Sequence, residues 1–236
     1  MAVQIIYHQQ AAMEMLPAYI GIAFILTTFL TVFLFWKAAH YHRVTIVVIL
    51  AWLFVQAIVS LQHFYTITDT RPPRFLLLAA PPVVLIILLL LSGPGRRYLD
   101  NLNASTLTIL HIIRIAVELV LWALFVHKAV PQLMTFEGRN FDIVAGLSAP
   151  LIWYLAYRLK KLSKTALLWW NIACIVLLLN IVINAVLSAP GPLQQFAFDQ
   201  PNRAILYFPF VWLPCCVVPL VLLSHLAVIR QLVKKH

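Results

Sequence analysis

The chain has 236 residues, of which 63% are apolar and 10% charged, with a formal net charge of +10. A soluble domain carries about a quarter of its residues charged, so a soluble enzyme, a disordered segment and a disulfide scaffold are excluded. What remains is an all-α bundle embedded in lipid, whose basic excess suits anionic head groups rather than nucleic acid.

A helix needs about 20 mostly apolar residues, rising about 1.5 Å each, to cross roughly 30 Å of hydrocarbon. Seven segments are predicted on this criterion. The opening MAVQIIYHQQ lacks the basic region of a signal peptide, so the charge-free run 15–36 is expected to be a retained first span. The second, 44–62, places Gln56, Ser60 and the adjoining His63 on one stripe. The third, 75–91, has no charge. The fourth, 105–126, carries His111, Arg114 and Glu118 at spacings of three and four, which keeps all three within an arc of about 60°. In the fifth, 141–157, only fifteen residues separate Asp142 from Arg158, so one of these charges is expected near membrane depth, or the bilayer thins around it. Gly146 and Pro150 interrupt this segment as transport proteins interrupt helices at their sites. The sixth, 167–187, carries Asn180 and Asn184 one turn apart. The seventh, 204–229, contains Pro209, Pro214 and Pro219, each expected to kink it. Its Tyr207 and Trp212 read as interfacial anchors and packing residues, and His225 as packing or head-group contact. Cys174, Cys215 and Cys216 read as small apolar packing residues.

The connections are all short, so residues 1–236 are expected to form a single transmembrane domain with no soluble part. Lys37, Arg43, Arg96, Arg97, Arg158, Lys160, Lys161, Lys164, Arg230, Lys234 and Lys235 fall on one side of the alternation; Arg71, Arg74, Lys128, Arg139 and Arg203 fall on the other. Eleven against five predicts a cytoplasmic C-terminus and an N-terminus outside. Among the acidic residues, Glu14, Asp69, Glu137, Asp142 and Asp199 fall outside and Asp100 inside.

Intramembrane polar groups usually face the bundle interior. Measured from each span's centre, Gln56, Arg114, Glu118 and Asn180 lie within roughly 5 Å of the midplane, while Ser60, Asn184 and His63 climb toward the outer mouth. This predicts an outward-facing cavity between the second, fourth and sixth spans, with Arg114 at its floor and His111 below. An intrahelical Arg114–Glu118 pair with asparagines as interhelical glue is the structural alternative. Residues 130–143 (VPQLMTFEGRNFDI) mix Glu137, Arg139 and Asp142 with apolar side chains, as a lid or re-entrant mouth would; an interfacial loop in contact with water and head groups is the plainer reading.

Several membrane chemistries lack their residues. No lysine lies within a span, which removes a retinal Schiff base. The layout resembles that of G-protein-coupled receptors, but no acidic-Arg-aromatic triplet closes the third span and no Asn-Pro-x-x-Tyr occurs in the seventh. Paired Pro-Gln motifs are missing, since Pro131-Gln132 stands alone. So is a His-x-x-x-His zinc helix, and Ser148 sits in no nucleophile elbow. Diffuse metal binding by His63, His127, Glu137 and Asp142 is weighed against a plain gate, and the expectation is no metal and no cofactor.

The reading is a seven-helix inner-membrane protein that binds, and transports or senses, a small polar or anionic ligand. Arg114 is its charge partner, Glu118, Asn180 and Gln56 orient it, and His111, Ser60, His63 and Asn184 line the rest. An intramembrane enzyme acting on a lipid or isoprenoid, with His63, Glu137 or Asp142 as acid, base or ligand, is the alternative; a partner subunit with a polar pairing face is a third. Expected partners are membrane lipids, with anionic head groups at the cytoplasmic face, and the ligand itself. Oligomeric state is not encoded.

Overall fold

A computed structural model describes Met13 and residues 16–234. The opening residues, Glu14 and Lys235 lie outside the described residues. Among those described, all regular structure is helical: α1 (Ala18–Ala38), α2 (Arg43–Leu61), α3 (Leu76–Leu91), α4 (Gly93–Asn101), α5 (Ala104–Leu110), α6 (Ile113–Val126), α7 (Asp142–Trp153) running into a π turn (Tyr154–Arg158), α8 (Lys164–Ser188), a second π turn (Leu213–Val217) and α9 (Val218–Val233).

Five helical stretches are long and apolar enough to cross a membrane: Ala18–Ala38, Arg43–Leu61, Ala104–Val126, Lys164–Ser188 and Leu213–Val233. The third predicted segment reaches that length only if α3 and α4, bent by 94° at Ser92, are taken together, which makes a sixth. The fifth predicted segment spans 12 residues as α7 and five more as a π turn, too short to qualify alone. The protein is therefore an all-α membrane protein with five or six candidate spans.

The connections alternate between two ends of the bundle. At one end His40 Nε2 bonds the Asn101 carbonyl at 3.0 Å, Thr45 Oγ1 lies 3.0 Å from Tyr98 Oη, and Gln231 Nε2 donates to the Leu99 and Leu102 carbonyls. This is the basic end. There Asp100 receives Arg230 Nη2 at 3.1 Å and Lys234 Nζ at 2.9 Å, and these donors, Arg230 foremost, hold its carboxyl below the usual carboxylate range. A depressed carboxyl keeps its tie wherever it is ionised, so the contact persists down to about pH 4 and is lost only below. At the opposite end Gln200 Nε2 donates to the Phe125 and Val130 carbonyls, the Arg203 amide to the Ala129 carbonyl, and His63 meets the Tyr207 ring.

The last span is the centre of the packing. It contacts α8, α5, α4, α3, α2 and α1, and is the most buried of the candidate spans, whereas α2 is the least. Prolines shape it. Pro214 falls inside the second π turn and Pro219 opens α9. Without an N–H, Pro219 cannot bond the Cys215 carbonyl four residues back, and a buried orphan carbonyl is costly in lipid. Trp52 of α2 supplies the missing donor, its Nε1 lying 2.9 Å from that oxygen. Trp212 donates in return to the Leu53 carbonyl at 3.0 Å. Two indoles thus tie a sparsely packed helix to the central span.

This tie gives a checkable expectation. Trp52→Phe leaves the carbonyl unpaired and lowers stability in micelles by about 1–3 kcal/mol; the loss shrinks in a Pro219→Ala background, where a backbone N–H is restored. Equal losses in both backgrounds, measured by denaturant unfolding, would show that the indole contributes packing alone.

Candidate functional site

The helix from Ala104 to Val126 is not uniform. Between α5 and α6 it tightens: the amides of Ile112, Arg114 and Ile115 bond the carbonyls of Ile109, His111 and Ile112, three residues back rather than four. Side chains three apart eclipse in such a step, and His111 and Arg114 consequently point the same way, toward the last span. Both are buried, His111 fully and Arg114 to 2% exposure.

Arg114 is paired with Asp142, the first residue of α7. Its Nε donates to Oδ2 at 2.6 Å and its Nη2 to Oδ1, a bidentate bridge. The carboxylate also sits at the positive end of the α7 dipole. Gly146, one turn along, allows the approach: a Cβ there would lie 2.9 Å from Ile115 Cγ1 and 3.3 Å from Arg114 Cβ. Arg114 Nη1 faces His225 Nε2 at 3.2 Å and Nη2 lies 3.4 Å from the Cys174 carbonyl. A guanidinium only donates, so His225 Nε2 accepts. Its proton then sits on Nδ1 and points at Asn171 Oδ1, 2.8 Å away, while Asn171 Nδ2 donates to the Leu167 carbonyl. The His225 tautomer is fixed by its neighbours. His111 stacks flat on that ring, centroids 3.7 Å apart, and Trp170 stands edge-on to both at 5.7 Å. Neither His111 nitrogen has a protein partner.

Asn140 extends the network away from the basic end. Its Oδ1 accepts the Asp142 amide at 3.0 Å, and its Nδ2 donates both to the Met134 carbonyl and to Glu118 Oε1. Glu118 Oε2 is buried and has no partner. It borders a cavity of about 110 Å³ whose other walls are almost wholly apolar, contributed by α3, α6, α8 and the last span; Asn140 and Asp142 are its remaining polar lining.

The residues expected at one site thus divide among four places. Arg114, Glu118 and His111 belong to one network, but Arg114 pairs with Asp142 rather than with Glu118. Asp142, expected at the lid, is the buried charge that the short fifth segment implied. Gln56 accepts from Tyr65 Oη at 2.5 Å. Ser60 and His63 line a separate cavity of about 310 Å³ beside Tyr207 and Phe208, because α2 packs on α1 and the second π turn. Asn180 donates to the Arg139 carbonyl and so holds the 130–141 loop, while Asn184 donates to the Asn180 carbonyl one turn back on α8. Glu137 accepts from Trp122 Nε1 at 2.9 Å, and the Arg139 guanidinium lies 5.7 Å from the Phe196 ring centroid. His127 turns to the Ala123 carbonyl. Among the described residues, no three His, Cys, Asp or Glu side chains converge as metal ligands. Sequence reasoning missed His225, Asn171, Trp170 and Asn140. His225 alone carried a signal, lying about as far from the basic end of its span as His111 does.

A family model described as Domain of unknown function (DUF8737) matches residues 72–233, and the chain belongs to that family. The matched segment contains every residue of the Arg114 network and excludes Gln56, Ser60 and His63. No curated protein and no solved structure matches the chain.

Removing one partner of a buried bridge leaves an uncompensated charge. Asp142→Ala is therefore expected to cost about 3–5 kcal/mol, whereas Arg114→Met combined with Asp142→Leu recovers most of it. Unfolding of the three proteins in one detergent checks this; a double variant as unstable as Asp142→Ala would contradict the pairing.

Proposed function

We propose that this member of the DUF8737 family binds, within the bilayer, a small molecule with an apolar body and one hydrogen-bond donor, held by Glu118. The observation that carries the reading is the buried, unpartnered Glu118 Oε2 at the wall of an apolar cavity. A carboxylate at this depth is expensive, and an unsatisfied buried acceptor costs about 1–3 kcal/mol, more when charged. A donor-bearing ligand recovers that cost, while apolar walls accept its body. A ligand held as an anion on Arg114 is disfavoured, because four of the five guanidinium N–H groups are already directed at Asp142, His225 and the Cys174 carbonyl.

In this reading the chain crosses the inner (cell) membrane seven times, with its N-terminus outside and its C-terminus cytoplasmic. The alternation of connections between two ends of the bundle supports the count, and the gathering of basic residues at one end supports the orientation. The Arg114–Asp142 bridge forms the floor of the cavity on the cytoplasmic side. Passage of a ligand would require the bridge to part, so it is the gate of a transport cycle. An intramembrane enzyme would have a single free carboxylate at this cavity to serve as acid or base.

Two experiments test the reading. In thermal unfolding of the micellar protein, hexylammonium and hexanol raise the melting temperature and hexanoate does not; Glu118→Gln abolishes the preference for the amine, and Leu178→Trp abolishes every response. Stabilisation by hexanoate alone would restore the anion reading. For topology, a reporter active only outside the cytoplasm works when inserted within residues 188–203 and fails at the C-terminus, and the reverse pattern would invert the assignment.

A further inference from the structure

A second concave site lies on the lipid-facing side of the bundle, separate from the Glu118 cavity and independent of its reading. Here α2 and α3 splay apart over the last span and leave a groove of about 180 Å³. Its floor and walls are Val48 and Trp52 of α2, Pro82 and Ile86 of α3, and Pro219 and Leu220 of the last span. Pyrrolidine rings stand where longer side chains would fill the gap, and the bond from Trp52 to the Cys215 carbonyl fixes the indole as one wall.

The groove runs toward the basic end. Val48 lies five residues above Arg43 on α2, and Ile86 five residues above Leu91, where α3 ends. At about 1.5 Å per residue, the groove ends roughly 7–8 Å short of that end. The chain turns 94° after Leu91 into α4, a helix lying across the end of the bundle. Its Gly95 and Leu99 are buried and its Arg96 and Arg97 exposed, the division expected of a helix in a membrane interface. Tyr98 fastens it to α2 through Thr45. Arg43, Arg96 and Arg97 have no carboxylate partner among the described residues, whose ion pairs are Arg114–Asp142 and the contacts of Asp100 with Arg230 and Lys234.

We propose that this groove holds one acyl chain of an anionic phospholipid from the leaflet at the basic end, with its phosphate on Arg43, Arg96 and Arg97. Three arginines at the foot of an apolar slot match the charge of a phosphate and the chemistry of its tail. A second copy of the chain fits less well. Two copies related by an axis along the membrane normal would bring the same three arginines to the same level, and like charges would oppose the contact.

The test is native mass spectrometry of the full chain released from micelles doped with phosphatidylglycerol or phosphatidylcholine of identical chains. The wild type retains one phosphatidylglycerol through delipidation and at least tenfold less phosphatidylcholine. The combined Arg43→Gln, Arg96→Gln and Arg97→Gln variant loses that preference, and the corresponding lysine variant keeps it. Val48→Trp, with its arginines intact, fills the slot and also loses retention; Ile86→Trp serves the same purpose if Val48→Trp does not fold. Glycerol 3-phosphate does not displace the lipid, which separates a tailed ligand from a free phosphate. Equal retention of the two lipids, undiminished retention in the glutamine or tryptophan variants, displacement by glycerol 3-phosphate, or a lipid-free dimer cross-linked through α2 would each overturn the proposal.

Discussion

A guanidinium buried in a bilayer tolerates few arrangements, and Arg114 dictates much of the architecture around it. Its charge requires a counter-charge at the same depth, and Asp142 provides one only because α7 begins inside the bundle rather than at its edge. That start in turn needs Gly146, whose lack of a side chain lets α7 close on α6. It also needs Asn140, whose side chain receives the first helical amide and passes a donor on to Glu118. On the far side, the remaining guanidinium donors set the tautomer of His225 and through it the orientation of Asn171. One buried cation thereby aligns α6, α7, α8 and the last span.

The same economy governs the backbone. Prolines in the last span remove amide donors where no water can substitute, and the π turn over Leu213–Val217 with the Trp52 indole repairs the ladder. The result is an irregular central span against which the other helices pack unevenly. Unevenness of this kind leaves concavities: one beside Glu118 and one between α2 and α3. Satisfying backbone and charge within lipid thus leaves both concavities in the bundle.

Much of this was legible in the sequence where the relevant information is local. Length and hydropathy place α1, α2, α8, the Ala104–Val126 helix and the last span, since each is long enough to register alone. The helical period likewise groups His111, Arg114 and Glu118 on one face. Neither signal tells which neighbour a face meets. Depth follows from counting residues along a helix, but azimuth follows from packing, so Gln56, Ser60 and His63 matched Arg114 in depth and still face other surroundings. Pairing by proximity in sequence favoured Glu118 as the partner of Arg114; the actual partner is 28 residues away, on a segment whose shortness alone hinted that a charge was drawn inward. The sequence reads His225 as packing or head-group contact, because its partners, the ring of His111 and the Arg114 guanidinium, lie more than a hundred positions away. Asn180 and Asn184, read among ligand contacts, turn instead to backbone carbonyls, Asn180 to that of Arg139 in the loop before α7 and Asn184 to that of Asn180 one turn back on its own helix.

The central claim is that Asp142 neutralises Arg114 and thereby leaves Glu118 as the free acceptor of the cavity. An experimental density map of the full chain in lipid nanodiscs, at a resolution that separates the two carboxylates, tests it most directly. The account predicts the Asp142 carboxylate against the Arg114 guanidinium and non-protein density within about 2.6–3.2 Å of Glu118 Oε2. A map in which Glu118 turns to Arg114, and Asp142 faces the membrane surface, would contradict it.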